Sequence, residues 1–185
     1  KVDGQEYDEE DYKFEEKVTA IDNPTKAGYT FSGWANIPET MPAEDVIASG
    51  EFTANKDTRY TEKYYKEDLA GAFVLDEAET ETKSGETDTE AVAKVKTFEG
   101  FTFDAENINN VLSGDITGSG DLVLKVYYTR NSYTLTYEVD GQEYDEEEYK
   151  YEEAVTAIQE PTKAGYTFSG WANVPETMPA EDVTA

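Results

Sequence analysis

The chain has 185 residues, and its 42 Asp and Glu against 15 Lys and Arg give a formal net charge of -27 at pH 7. A field of that sign repels nucleic acid and anionic membrane surfaces. With no Cys and no His there is no disulfide, no thiolate nucleophile, no Cys-ligated zinc and no imidazole base.

Aromatic residues make up 13% of the chain, with 14 Tyr, 8 Phe and 2 Trp. That content argues against an acidic disordered segment and for a β-rich fold. The sequence opens on Lys1 without an initiator Met and reads as a piece of something longer. No apolar run is long enough to span a membrane and no signal peptide is present, so membrane insertion is not expected.

In chain order, Val2-Asp-Gly-Gln5 is a tight-hairpin signal, followed by a strand carrying Tyr12 and Phe14. Pro24 ends regular structure, and Gly28-Tyr-Thr-Phe-Ser-Gly-Trp34 alternates as a strand. A further strand is expected within Ile47–Ala54. The middle of the chain begins with an alternating strand at Tyr60–Tyr64, then a short one at Phe73–Leu75. Ala91–Val95 alternates, and Phe98-Glu-Gly-Phe-Thr-Phe103 resembles the earlier Gly-aromatic strand. Ser113–Asp121 reads as a turn region and Leu122–Tyr128 as the clearest strand. Ser132–Val139 then alternates, Asp140-Gly141 makes a hairpin, and the return strand lies within Glu143–Tyr151. Pro161 ends it; Gly165–Trp171 alternates, Pro175–Pro179 turns, and Ala180–Val183 is expected to form one helical turn.

The last segment repeats the first at an offset of 137 residues. From Lys1 and Glu138 onward, 40 of 48 aligned positions are identical. The chain therefore reads as three modules, 1–58, 59–131 and 132–185, each with a net negative charge. The first copy has only Lys1 where the second has Ser132–Glu138, and the second stops at Ala185 where the first continues to Ala54. Each terminal module thus lacks one strand, at opposite ends, and end-to-end strand pairing between these edges is expected. Short strand-to-strand joints at Asn55–Arg59 and Thr129–Ser132 favour a head-to-tail arrangement.

The duplicated modules resemble the Listeria–Bacteroides repeat, the internalin B-repeat type, on Tyr137-Glu-Val-Asp-Gly-Gln-Glu-Tyr144, Pro161–Trp171 and Pro175–Ala185. The middle module resembles a MucBP-like repeat on Tyr60–Gly71, Phe98–Phe103 and Ser113–Tyr133. The resemblance implies a β-rich α+β class of tandem small β-grasp-like modules. It also implies an extracellular location on the surface of a bacterium of Gram-positive type, in the wall-anchored stalk of an adhesin-like protein. It carries no catalytic residues and no cofactor.

Several constellations invite chemistry. Trp34 and Trp171 could stack on a sugar, but small modules use such rings in the core, together with Tyr29, Phe31, Tyr166 and Phe168. Asp8–Asp11 and Asp145–Glu148, or Asp115 with Asp121, could collect calcium, yet they lack a binding-loop spacing and read as solvated acids and a plain turn. Carboxylate pairs for glycoside hydrolysis arise by chance in so acidic a chain. Asn107, Asn109, Asn110 and Asn131 are available for an isopeptide crosslink, with no Lys and acid assigned beside them. The expectation is therefore a non-enzymatic structural stalk or spacer that projects a distal domain. The alternative is a module binding host glycans, mucin or a surface protein through Tyr64, Tyr65, Tyr127 and Tyr128. Adjacent residues of a strand face opposite ways, so one tyrosine of each pair faces outward unless both sheet faces are covered.

Overall fold

The structure, a computed structural model, describes residues 1–185. The strands are β1 (Tyr29–Phe31), β2 (Phe52–Ala54), β3 (Thr58–Glu67), β4 (Phe73–Leu75), β5 (Glu81–Gly85) and β6 (Glu90–Val92). They continue with β7 (Phe101–Phe103), β8 (Ser113–Asp115), β9 (Val123–Arg130), β10 (Ser132–Val139), β11 (Gln142–Lys150) and β12 (Val183–Thr184). The helical content is one 3-10 turn at Glu77–Glu79, capped by the Asp76 carboxylate, which accepts from the Ala78 N–H. The fold is thus β-rich, built of several small sheets with no barrel and almost no helix. The helical turn expected at Ala180–Val183 does not form. Val183 instead pairs with Leu135 as part of β12, because a backbone ladder satisfies more groups than one isolated turn.

Two compact units divide the chain. One comprises Lys1–Glu62, Glu81–Val92 and Ser113–Leu124; the other comprises Lys63–Thr80, Ala93–Leu112 and Lys125–Ala185. The middle sequence module, 59–131, contributes to both.

In the first unit β1 pairs antiparallel with β2, Thr30 opposite Thr53, and β6 pairs with β8. β5 lies against the first half of β3, Thr58 opposite Gly85 and Glu62 opposite Glu81. Ala91, Ile116 and Leu124 are buried here, with Thr58, Glu62 and Thr87 as buried polar groups. Glu62 receives the Lys83 ammonium at 2.7 Å, which compensates the loss of water around its carboxylate.

In the second unit β4 pairs with the far half of β3, and β7 pairs with β9, Thr102 opposite Thr129. Tyr64, Val126 and Tyr128 form a buried cluster with Phe98, Phe101, Phe103 and Leu112 around it. A separate cluster of Leu135, Tyr137 and Met178 is flanked by Tyr149, Val155, Ile158, Trp171 and Val174. Its strand β10 is paired on both edges, antiparallel to β11 and parallel to β12.

The two near-identical copies differ in pairing. The second copy has the full β10–β11 hairpin, with Asp140 and Gly141 both at positive φ in the turn. In the first copy the matching stretch keeps isolated bridges only, Val2 with Gln5 and Val2 with Gly50. Conversely, Tyr29–Phe31 is a strand, whereas Tyr166–Phe168 is not. Tyr166, expected in the core, is instead 72% exposed. Its counterpart Tyr29 is held in a strand by β2, and Tyr166 has no such ladder.

Candidate functional site: the joints between repeats

Polar chemistry concentrates near the ends of the duplicated sequence segments and the segment between them. One joint lies within the first unit and one within the second. Each is built on a Gly-aromatic-Thr-Phe segment, Gly28–Phe31 or Gly100–Phe103, whose strand lies antiparallel to one followed directly by Asn.

At the first joint the Asn55 N–H donates to the Gly28 carbonyl at 2.9 Å, and the Asn55 Oδ1 accepts the Thr30 hydroxyl at 2.6 Å. At the second, the Asn131 N–H donates to the Gly100 carbonyl at 2.9 Å, and its Oδ1 accepts the Thr102 hydroxyl at 2.7 Å. The carbonyl of each Asn then accepts a backbone N–H from the following module, Thr87 in one case and Tyr151 in the other, both at 2.9 Å. Three groups of one residue are thereby committed, which fixes the direction in which the chain leaves the strand.

The docking residue sits on a sharp knuckle. Thr87 precedes Asp88 at φ 63, and Tyr151 precedes Glu152 at φ 61. Each glycine is needed twice over. Gly28 and Gly100 have φ of 76 and 73, the left-handed region that side chains disfavour. A Cβ on Gly28 would also meet the Gly118 backbone and the Thr87 Oγ1, and one on Gly100 would strike the Tyr151 ring.

The acid of each knuckle is held by the preceding module. Asp88 accepts the Tyr29 hydroxyl, and that bond is the chief reason the Tyr29 phenol is held above its ordinary pKa. Glu152 pairs with the Arg130 guanidinium at 2.8 Å. Arg130 also donates from Nη1 to the Tyr151 carbonyl at 2.7 Å and from Nε to the Glu67 carbonyl at 3.0 Å. Its guanidinium stacks over Phe101 at 4.7 Å. Lys150 adds an ion pair to Glu67 at 3.3 Å. In an acidic chain, this concentrates two of the few cations at one place.

The residues singled out by sequence are distributed differently. Tyr64, Tyr127 and Tyr128 are buried, so these three present no ring to a ligand. Both faces of β9 are covered: Tyr127 stacks on Tyr65 at 4.5 Å and meets Phe73, while Tyr128 packs with Phe98 and Phe103. Tyr65 is half-buried. Tyr29, Phe31, Trp34, Phe168 and Trp171 are half-buried, with Phe31 and Phe168 each against the tryptophan of its own copy. No three acids converge as a cation site. Asn110 and Asn107 are tied to the Asp104 backbone and side chain, respectively.

Sequence reasoning noted the Gly-aromatic strand in both module types and the short joints. It did not assign Asn55, Thr30, Thr87, Thr102 or Arg130 to them. The available signal was the pairing of each Gly-aromatic-Thr-Phe with an Asn at the end of a later strand.

A segment duplicated at an offset of 137 residues, with the same backbone clasp formed at two places in the chain, defines a repeat protein. The profile of the Listeria–Bacteroides repeat domain matches residues 1–61 and 133–184, more than half of the chain. The chain belongs to the Listeria–Bacteroides repeat family. That family is a non-catalytic repeat type found in bacterial surface proteins. No helix here is long and apolar enough to cross a membrane.

Proposed function

We propose that the chain is a spacer segment of a bacterial cell-surface stalk of adhesin type, in which alternating β modules project a distal domain from a Gram-positive type of wall. The observation that carries this reading is the recurrence of one clasp, atom for atom, at joints between different module types. A linker serving only to connect has no need to commit an Asn, a Gly, a Thr and the next module's N–H. A load-bearing or distance-setting segment does. Within this proposal the outer modules are B-repeat units of β-grasp-like kind and the middle one is MucBP-like. The parallel β10–β12 pair beside the β10–β11 hairpin supports the β-grasp-like assignment.

Small-angle scattering tests the spacer role. An elongated particle whose maximum dimension is well above that of a compact sphere of this length supports it, and a compact globule overturns it. The alternative of a glycan- or mucin-binding module rests on Tyr65, the one tyrosine of the four that is not buried. A glycan array on the folded chain, repeated with Tyr65→Ala, separates the readings. Saturable binding lost in the variant favours adhesion, and no binding retires it.

A further inference from the structure

The two clasps share their backbone bonds and differ in the side chains that meet the docked knuckle. At the first, Tyr29 stands directly opposite Ala54; at the second, Phe101 stands directly opposite Arg130. Residues opposite one another in an antiparallel pair project to the same face. Each joint therefore offers one aromatic ring and one cross-strand neighbour. The donor for the knuckle's acid changes places between them. In the first joint it is on the ring, as the Tyr29 hydroxyl that bonds Asp88, and the neighbour is only a methyl. In the second joint the ring is Phe and carries no donor, and the neighbour supplies it as the Arg130 guanidinium that pairs with Glu152.

The knuckles differ in step with the joints. The seat beside Gly28 is closed by backbone, because Gly118 lies against both Gly28 and the Ala27 carbonyl. Thr87 fits it, since its hydroxyl donates to the Gly28 carbonyl at 2.8 Å and shares a bond with the buried Thr58 hydroxyl at 2.7 Å. A ring has no room there. The seat beside Gly100 is filled by the Tyr151 ring, edge-on to Phe101 at 5.8 Å. A Thr there would leave that space empty. The acids follow the donors: the shorter Asp88 meets the hydroxyl at the tip of a rigid ring, and the longer Glu152 meets the guanidinium. The duplicated segment carries an aromatic-Glu knuckle in both copies, Phe14-Glu15 and Tyr151-Glu152, with the Glu at φ 63 and 61. The segment between them carries Thr87-Asp88.

We propose that each clasp is a selective coupling: the Tyr29–Ala54 pair accepts a Thr-Asp knuckle, the Phe101–Arg130 pair accepts an aromatic-Glu knuckle, and a segment of one kind is thereby followed by one of the other. The shared backbone bonds supply the hold, and the side chains supply the discrimination, by seat size and by the reach between donor and acid. The wrong knuckle meets backbone at the first joint, and at the second it leaves an unfilled seat and an unpaired guanidinium. The proposal deepens the spacer reading and rests on the repeated clasp within it. Particle shape tests the spacer and an exchange of side chains tests the selection, so either can fail alone.

The test is native-state hydrogen exchange on the whole chain, read at two amides. The Thr87 N–H reports the first joint and the Tyr151 N–H the second, each bonded to its Asn carbonyl at 2.9 Å. Asp88→Glu is compatible with the backbone, because Glu15 and Glu152 hold the same φ. It should lower protection of the Thr87 amide by about tenfold, and Tyr29→Phe combined with Ala54→Arg should do the same. All three changes together rebuild the acid contact of the second joint at the first. The triple variant should then protect the Thr87 amide better than either of those variants does, with the Tyr151 amide unaltered throughout. In the reciprocal experiment, Glu152→Asp should lower protection at Tyr151 and leave Thr87 unaltered. A coupling that holds without selecting predicts the triple variant to be the least protected of the three, and that result would overturn the proposal. Equal loss at both amides, which places the effect in folding rather than in one joint, would overturn it too.

Discussion

Asn131 links a strand end, a side chain of its own module and the backbone of the next module. Replacing it with Ala removes the bonds to the Thr102 and Tyr133 hydroxyls while leaving the backbone bonds in place. The expected loss is about 1–2 kcal/mol in urea unfolding. Asn131→Asp keeps the acceptor for Thr102 and should lose less than the Ala variant does. Gly100→Ala is a sharper probe, because it forces Ala into the left-handed region and drives a methyl into the Tyr151 ring. More than about 2 kcal/mol of destabilisation is expected. In a double-mutant cycle, Tyr151→Ala should recover part of that loss, since the two residues share one space. Additivity within error would show that the ring contact does not constrain the joint.

The elements show how little a strand's own sequence decides. Tyr29–Phe31 and Tyr166–Phe168 have the same residues, yet only the first is a strand. Both alternate in the way a half-buried strand requires, so the sequence marks each as competent. Whether the ladder forms depends on a partner far along the chain, Phe52–Ala54 in one case. The three-residue β1 has little intrinsic stability, and a partner supplies most of it. The hairpin β10–β11 carries a pH signature at Tyr149. Burial, followed by the 2.7 Å bond to the Glu147 carboxylate, pushes its phenol up to about 12. A raised pKa means that the folded state holds the proton more tightly. The stabilisation is therefore complete below the ordinary tyrosine value near 10 and is lost as pH rises through about 12. Ultraviolet titration of the native chain should show a tyrosine class ionising late, reduced by one in Tyr149→Phe. On the acid side, Lys66 at 2.8 Å holds the Asp76 carboxyl below its usual range. That stabilisation is present above the ordinary carboxylate pKa and is lost as pH falls through the depressed one. Asp76→Asn should therefore lower stability at neutral pH and flatten the acid limb of the unfolding curve.

At the scale of the whole molecule, charge sets behaviour in solution. A formal charge of -27 on 185 residues stores self-repulsion that screening relieves. Melting temperature should rise by a few degrees between about 10 mM and 500 mM sodium chloride (Debye lengths of roughly 30 Å and 4 Å). Magnesium or calcium at equal ionic strength should add no more than screening does, because no three acids converge. A cation-specific shift well beyond the sodium curve would reveal a site that this arrangement does not hold.

The sequence by itself determined the duplication, the family, the β-rich class and the placement of most strands. Those features rest on local signals: alternation, turn residues and repeated text. It also exposed the alternation of the paired tyrosines, though not their fate, because burial of Tyr127 depends on Tyr65 and Phe73 arriving from other strands. Tertiary structure alone decided that Asn55 and Asn131 are equivalent and that Arg130 serves the joint. Each of these is a meeting of residues distant in sequence. Thr30 and Asn55 are 25 positions apart and Thr102 and Asn131 are 29, and hydrogen bonds across such spans follow from how strands pack rather than from any residue's own preference.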